Sequence, residues 1–363
     1  MKIAQVAPLF ESVPPKGYGG TERVVSYLTE ELVAMGHDVT LFATADSMTS
    51  ARLVPITTKS LRADAGSPVA LACHTTQLGR LGKAAASFDV IHFHTDYLHF
   101  PMARQLATPH LTTLHGRLDL PELAPLYKQF SDVPLVSISD MQRAPLPWAN
   151  WHGTVYHGLP ADLYSPGFEP ADYCVFLGRI AREKRPDRAI EIAIRVGMPI
   201  VIAAKIDPSD ADYYEASIKP LLSHPLVRFI GEVGEADKSA LLSNARALLF
   251  PIDWPEPFGL VMIESFACGT PVIAYGHGSV PEVVTDGVNG FVVADQEQAL
   301  HALLHIDSID RRNCREVFEQ RFSAQQMALR YVELYESLCK GPRRAVLLAD
   351  GSHPKFKEED HHG

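Results

Sequence analysis

The chain is poor in cysteine, lacks any long apolar run and has no surplus of positive charge, and each shortage excludes a class of protein. Its five cysteines, Cys73, Cys174, Cys268, Cys314 and Cys339, are odd in number, scattered and nowhere spaced as CxxC. That pattern excludes a disulfide-stapled miniprotein and predicts reduced thiols in a cytoplasmic protein. No window offers the roughly 18 apolar residues of a membrane span, and the opening MKIAQVAP has no basic, apolar and small-residue signal pattern. Lysine and arginine total 33 against 43 aspartates and glutamates, a net charge of -10. The broad positive field used by non-specific nucleic-acid and anionic-membrane binders is therefore missing. There is no internal repeat and no low-complexity tract. With 46% hydrophobic and 21% charged residues the composition is that of an ordinary globular protein, and 363 residues leave room for two domains.

What is present is an alternation of short apolar runs with longer segments of helical period, the pattern of βα units that build a parallel sheet. The first half supplies KIAQVA, DVTLFAT, DVIHFH, HLTTLH, PLVSIS and GTVYH as strands; the second supplies YCVFLG, PIVIAA, VRFIGE, ALLFPI, PVIAY and GFVV. Each half predicts its own doubly wound α/β sheet. Between them Leu163 to Pro170, with two prolines and a glycine, breaks regular structure. The reading is a first domain over 1–165, a second over 171–322, a terminal helix over 323–340 packing back across the domains, and a mobile polar tail over 341–363. Ligands of such sheets sit beyond the carboxyl ends of the strands, so the loops there carry the candidate chemistry.

The first loop places Gly17, Gly19 and Gly20 before a helix starting near Thr21. Glycines allow close backbone approach and a helix start favours an anion; alone, the segment is equally a flexible loop before a capped helix. It is neither GxGxxG nor a Walker A sequence. A later strand ends at His115-Gly116, and His92 and His94 share one face of another strand by its two-residue period. With no third ligand in place, packing or substrate contact is expected of that pair rather than a metal. In the second half Arg179, Lys184, Arg182 and Arg185 crowd a strand end ahead of a helix predicted from Pro186. Arginine forks and a lysine point charge suit a diphosphate, with Arg182 and Arg185 readable as surface charge. The densest signal is WPEPFGLVMIESFACGTP, in which Glu256 lies in a proline-flanked loop and Glu264 follows eight residues on. A helix starting near Phe258 or Gly259 turns its free amides toward the cleft. Asp210-Ala211-Asp212 spells a DxD but sits where acidic residues cap a helix.

These motifs together resemble the retaining nucleotide-sugar glycosyltransferases of family 4, whose GT-B architecture has two facing Rossmann-like domains and an interdomain cleft. The likeness runs from Lys2 to about Leu338 and rests most on Glu256 to Glu264, on Gly178-Arg179 with Glu183-Lys184, and on GTPVIA followed by GSVPEVVTDGVNGFVV. The chain departs from it in Arg185, where many relatives have glycine, and in His157, where asparagine is common.

The resemblance implies that Arg179 and Lys184 neutralise a donor diphosphate, helped by the amides of Phe258, Gly259 and Leu260. It implies that Glu264 binds the ribose, Glu256 the donor sugar, and Gly231-Glu232-Val233 the base, with His115 and the Gly19-Gly20 loop bordering the reactive face. It further implies a retaining, metal-independent hexosyl transfer, with no cofactor and UDP-glucose as donor. Tyr18, Arg23, Asp96, Tyr97 and Arg117 are the acceptor-side candidates, for a small soluble or saccharide acceptor. Arg185 stays open between an added phosphate contact and surface charge. A nucleotide-sugar sensor or scaffold without catalysis, an epimerase and a phosphorylase of the same architecture stay open at this point. No nucleic-acid partner is expected, and membrane contact is limited to a weak touch by Lys340, Arg343 and Arg344 beside Val346-Leu347-Leu348.

Overall fold

The computed structural model describes residues 1–17, 19–62 and 68–341; Tyr18 and the tail from residue 342, with Arg343, Arg344 and Val346-Leu347-Leu348, lie outside the described residues. Two all-parallel sheets are built. The first contains β1 (Lys2–Val6), β2 (Asp38–Ala43), β3 (Arg52–Pro55), β4 (Val90–Phe93), β5 (His110–Thr113), β6 (Leu135–Ser137) and β7 (Trp151–Thr154), in the order β3-β2-β1-β4-β5-β6-β7. The second contains β8 (Cys174–Ile180), β9 (Ile200–Ile206), β10 (Val227–Gly231), β11 (Ala247–Phe250), β12 (Val272–Tyr275) and β13 (Gly290–Val293), in the order β10-β9-β8-β11-β12-β13. In each sheet the order reverses beside the first strand, between β1 and β4 and between β8 and β11, which opens a crevice at the carboxyl ends.

The strands read as continuous apolar runs because helices cover both faces of a parallel sheet; β4, β5, β11 and β12 are buried at every position. β3 was not predicted. It is an edge strand whose four residues are half-buried or exposed, so RLVP carries neither an apolar run nor an alternation. β7 begins two residues earlier than the GTVYH reading, and its register against β6 shifts between Leu135 and Val136.

Helix Pro186–Val196 shows how local sequence positions the carboxyl edge of the second sheet. Proline at its first position needs no amide partner, Gly197 closes it with φ of 80°, and Pro186, Ala189, Ile190 and Ala193 bury one face on the second sheet. Arg185 precedes it with φ of 53°, a left-handed conformation that costs a non-glycine residue about 1 kcal/mol. This is the position where the resemblance favours glycine.

Two stretches of chain cross between the domains, and they are bonded to each other. Leu159 donates its amide to the Phe322 carbonyl at 2.9 Å and Ala324 donates to the Leu159 carbonyl at 2.7 Å. Gly158 is required there, since a Cβ would lie 2.4 Å from the Ser323 carbonyl oxygen. After the second crossing, helix Ala324–Lys340 starts at Ser323, whose hydroxyl accepts from the Gln326 amide. Its buried stripe of Met327, Tyr331 and Tyr335 follows the i, i+4 spacing of one helix face and packs on Ile3, Val24, Leu28 and Val136 of the first domain.

That stripe ends in polar groups that the first sheet satisfies. The Tyr335 hydroxyl accepts from Gln5 Nε2 at 3.1 Å and meets His92 Nδ1 at 2.8 Å, while the Tyr331 hydroxyl meets Thr113 Oγ1 at 2.8 Å. Tyr335→Phe leaves two buried polar groups without their partner, so the urea midpoint is expected to fall by an amount equivalent to about 1–3 kcal/mol. An unchanged midpoint contradicts a structural role for this hydroxyl.

Candidate active site

The carboxyl ends of the two sheets face each other across a cleft of about 620 Å³. Of the predicted residues, Gly19, Gly20, Arg23, His115, Arg117, Arg179, Lys184, Glu232, Val233, Glu256, Phe258, Gly259, Leu260 and Glu264 all line it. Gly231 does not. It closes β10 with φ of 74° and turns the chain so that Glu232 and Val233 enter the wall. Asp96 lines a smaller adjoining cavity, and Tyr97 lines neither.

Helix Leu260–Ala267 begins after Gly259, whose φ is 79° and whose Cβ, were there one, would lie 2.8 Å from the Met262 side chain. No side chain caps its first amides, so the helix presents unsatisfied donors and a partial positive charge to the cleft. The preceding loop is held by its neighbour. Ser279 donates its amide to the Glu256 carbonyl at 2.9 Å and its hydroxyl to the Phe258 carbonyl at 2.7 Å. Gly278, at φ of 57°, leaves no room for a Cβ against the Glu256 backbone.

Glu256 and Glu264 are both buried, and each has a cation. Lys184 pairs with Glu256, which also accepts from Trp254 Nε1 at 3.0 Å, and the lysine ammonium sits 4.8 Å over the Trp254 ring. Lys238 pairs with Glu264 and with Glu235, at 2.9 Å each. Arg179 pairs with Glu183 at 2.5 Å and approaches Asp210 at 3.5 Å. The Asp210-Ala211-Asp212 expectation is corrected on one point: the capping carboxylate is Asp207, which accepts from the Ser209 amide, while Asp210 faces Arg179. Among the described residues no group of three histidine, cysteine or acidic side chains is placed to hold a metal.

Of the two readings of Arg185, surface ion pairing is the one the structure shows. Its guanidinium is committed to Asp187 at 2.7 Å and Asp253 at 3.1 Å and does not line the cleft, because the left-handed backbone turns the side chain onto the helix start. Arg182 lies over the Tyr213 ring, at 5.2 Å. Trp254, Lys238 and Glu235 were missed by the sequence reading. Lys238 and Glu235 stand on helix Glu235–Asn244, which carries no recognisable motif.

Contacts across the cleft draw the domains together. Arg23 pairs with Glu235 at 2.7 Å, Ser139 Oγ donates to the Pro257 carbonyl at 2.7 Å, and the Glu282 carboxylate accepts from the Asp140 and Met141 amides at 2.7 and 2.8 Å.

Behind the cleft lies a chain of histidines whose tautomers follow from their partners. The Gln5 carbonyl oxygen accepts only, so His94 Nε2, 2.8 Å away, carries the proton. His94 Nδ1 then accepts from His115 Nε2 at 2.9 Å, which leaves His115 Nδ1 as a lone-pair acceptor; it has no hydrogen-bond partner. Burial pulls the His115 pKa down to about 3 and holds His92, His94, His99 and His157 well below the usual histidine range. All are neutral at pH 7.

The fold and the cleft together define the GT-B class: two facing nucleotide folds with cations and a helix start at the junction. Comparison with known proteins agrees. Residues 18–151 match the family model described as Glycosyltransferase Family 4, and residues 166–320 match that of Glycosyl transferases group 1. A curated D-inositol 3-phosphate glycosyltransferase of Frankia alni is 28% identical over 81% of this chain and 85% of its own. AviGT4, a glycosyltransferase involved in avilamycin A biosynthesis, superposes with a TM-score of 0.71 at 24% identity, covering 94% of this chain and 98% of its own. HepE of Anabaena, in complex with UDP and glucose, superposes with a TM-score of 0.70 at 17% identity, over 93% of this chain and all of its own. The chain belongs to the family 4 glycosyltransferases.

The histidine cluster sets a pH dependence of stability. A histidine whose pKa is lower folded than unfolded contributes stability that is complete above about pH 6.5 and is lost toward the folded value, by about 1.4 kcal/mol per pH unit for each group. Glu22, Glu31 and Asp96, whose pKa values are raised by desolvation, work in the opposite sense but are outnumbered by the five histidines. The urea midpoint is therefore expected to drop between pH 6.5 and 5, before ordinary carboxylates titrate. A midpoint that holds or rises over that interval contradicts the neutral cluster.

Proposed function

We propose that this glycosyltransferase moves a hexosyl group, with retention, from a nucleotide sugar to a hydroxyl of a small soluble or saccharide acceptor. The observation that carries the reading is the convergence of Arg179, Lys184, the uncapped first amides of helix Leu260–Ala267, Glu256 and Glu264 on one cleft, facing His115 and the Gly19-Gly20 loop from the other domain. In this reading the diphosphate displaces carboxylates as the partner of Arg179 and Lys184, and the helix amides take its remaining oxygens. Glu264 accepts from neighbouring ribose hydroxyls, and Glu256, freed from Lys184, accepts from the donor sugar. The base lies along Glu232 and Val233.

The acceptor oxygen forms a bond to the anomeric carbon as the bond from that carbon to the phosphate oxygen breaks. The electron pair leaves with the diphosphate, and the acceptor proton goes to the departing oxygen on the same face of the sugar. Positive charge develops on the ring and negative charge on phosphate, where Arg179 and Lys184 act. Neutral His115 offers its Nδ1 lone pair to a sugar hydroxyl without placing a cation beside the charged ring. UDP-glucose is the proposed donor, a choice supported by the UDP and glucose held by HepE on the same fold. The reaction as written needs neither cofactor nor metal.

Fixed cations at a developing oxyanion are worth about 100-fold to 1,000-fold in rate. Arg179→Ala and Lys184→Ala are each expected to lower kcat/KM by about that factor, with wild-type turnover unaffected by excess chelator. Full activity in either variant overturns the clamp, and loss of wild-type turnover on chelation overturns the metal-free step.

A further inference from the structure

On the first-domain side the cleft adjoins a second cavity of about 220 Å³, bordered by Thr21, Glu22, His74, His94, Asp96 and His115. It shares Thr21, Glu22, His115 and Gly116 with the main cleft, so the two spaces adjoin. A molecule seated in it lies against the same histidine that borders the reacting sugar.

The charges in this cavity are of one sign. Glu22 is only 6% exposed, and among the described residues its carboxylate has only its own backbone amide as a hydrogen-bond partner; burial and then the charge of Asp96 push its pKa up. A buried carboxylate without a cation is costly and calls for a hydrogen-bond donor or a positive partner. Asp96 is exposed and sits at φ of 48°, a conformation whose cost is tolerated where surroundings or function demand it. No lysine or arginine is among the described residues of the lining. The first-domain cations Lys16, Arg23, Arg62 and Arg117 line the adjoining cleft and stand outside this lining. Burial lowers the pKa of His74, His94 and His115, so at neutral pH they add no positive charge.

A phosphorylated acceptor placed here would set its anion against two carboxylates with no counter-charge in the lining. A ring bearing adjacent hydroxyls would instead donate to Glu22 and Asp96, which suit vicinal donors as acceptor-only groups, and an ammonium substituent would neutralise them. We propose that this cavity is the acceptor subsite and that it takes a small cyclic polyol, uncharged or carrying an amine, and rejects phosphorylated rings. The inference rests on the glycosyl-transfer reading and separates this chain from the Frankia relative, whose name specifies an inositol phosphate.

The test measures release of nucleoside diphosphate from the nucleotide sugar that most stabilises the protein, with myo-inositol, an amino-deoxy inositol and D-inositol 3-phosphate as matched acceptors, then with a wider panel of sugars and cyclic polyols. At least one non-anionic ring is expected to exceed the phosphate ester about 10-fold or more in kcat/KM, and Glu22→Lys is expected to move that ratio toward the ester by a similar factor. Asp96→Lys, on the exposed rim, supplies the same reversal if the buried substitution does not fold. Preference of the wild type for the phosphate ester, or turnover of no non-anionic ring in the panel, overturns the proposal. Thermal stabilisation by nucleoside diphosphates separates the two failures. Stabilisation with the ester preferred removes only the acceptor class, whereas neither stabilisation nor turnover removes the glycosyl-transfer reading with it.

Discussion

The bonded pair of crossings at Leu159 and Phe322-Ala324 fixes how the two sheets meet, and every feature of the cleft depends on it. Neither half holds a complete site. Arg179, Lys184, Glu256 and the helix start belong to the second sheet; His115, the glycine loop and the second cavity belong to the first. The crossings set the distance between them, and helix Ala324–Lys340 locks that distance by burying its apolar stripe on the first domain. Because Tyr335 bonds both Gln5 and His92, the same helix orders the residues that orient His94 and, through it, His115. The terminal segment is thus both the closing element of the fold and the remote support of a cleft residue.

Within the cleft the governing theme is exchange of partners. The cations that suit a diphosphate are satisfied by carboxylates, and the carboxylates that suit sugar and ribose hydroxyls are satisfied by the cations. Leaving either kind of group buried and unpaired would cost several kcal/mol, so the pairs keep the cleft intact while it waits for a ligand carrying phosphates and hydroxyls together. Glu22 stands outside this arrangement. Among the described residues it has no cation to exchange, and that difference marks the proposed acceptor side as chemically distinct from the donor side.

The architecture was legible in the sequence because parallel strands buried on both faces read as short apolar runs, and the twelve that were read all appear in the sheets. The exception, β3, lies at an edge where half-exposed residues give no pattern. The donor side was legible because it is built from local motifs: Gly259 before its helix, Glu256 and Glu264 eight apart, and Arg179 at a strand end. Residues that act through long-range pairing were not. Lys238 meets Glu264 from a helix without a motif; Arg185 was readable as phosphate ligand or surface charge until its left-handed backbone turned it onto Asp187; Glu22 was hidden in a helix start whose burial depends on the opposite loops. Charge seen in a sequence does not reveal which partner it already has.

The most direct test of the central claim is a structure determined with UDP bound. The diphosphate is expected between Arg179 and Lys184, its oxygens on the first amides of helix Leu260–Ala267, with Glu264 on the ribose and Lys184 withdrawn from Glu256. UDP bound elsewhere, or bound in the cleft with the Lys184–Glu256 pair intact and Arg179 out of reach, would contradict it.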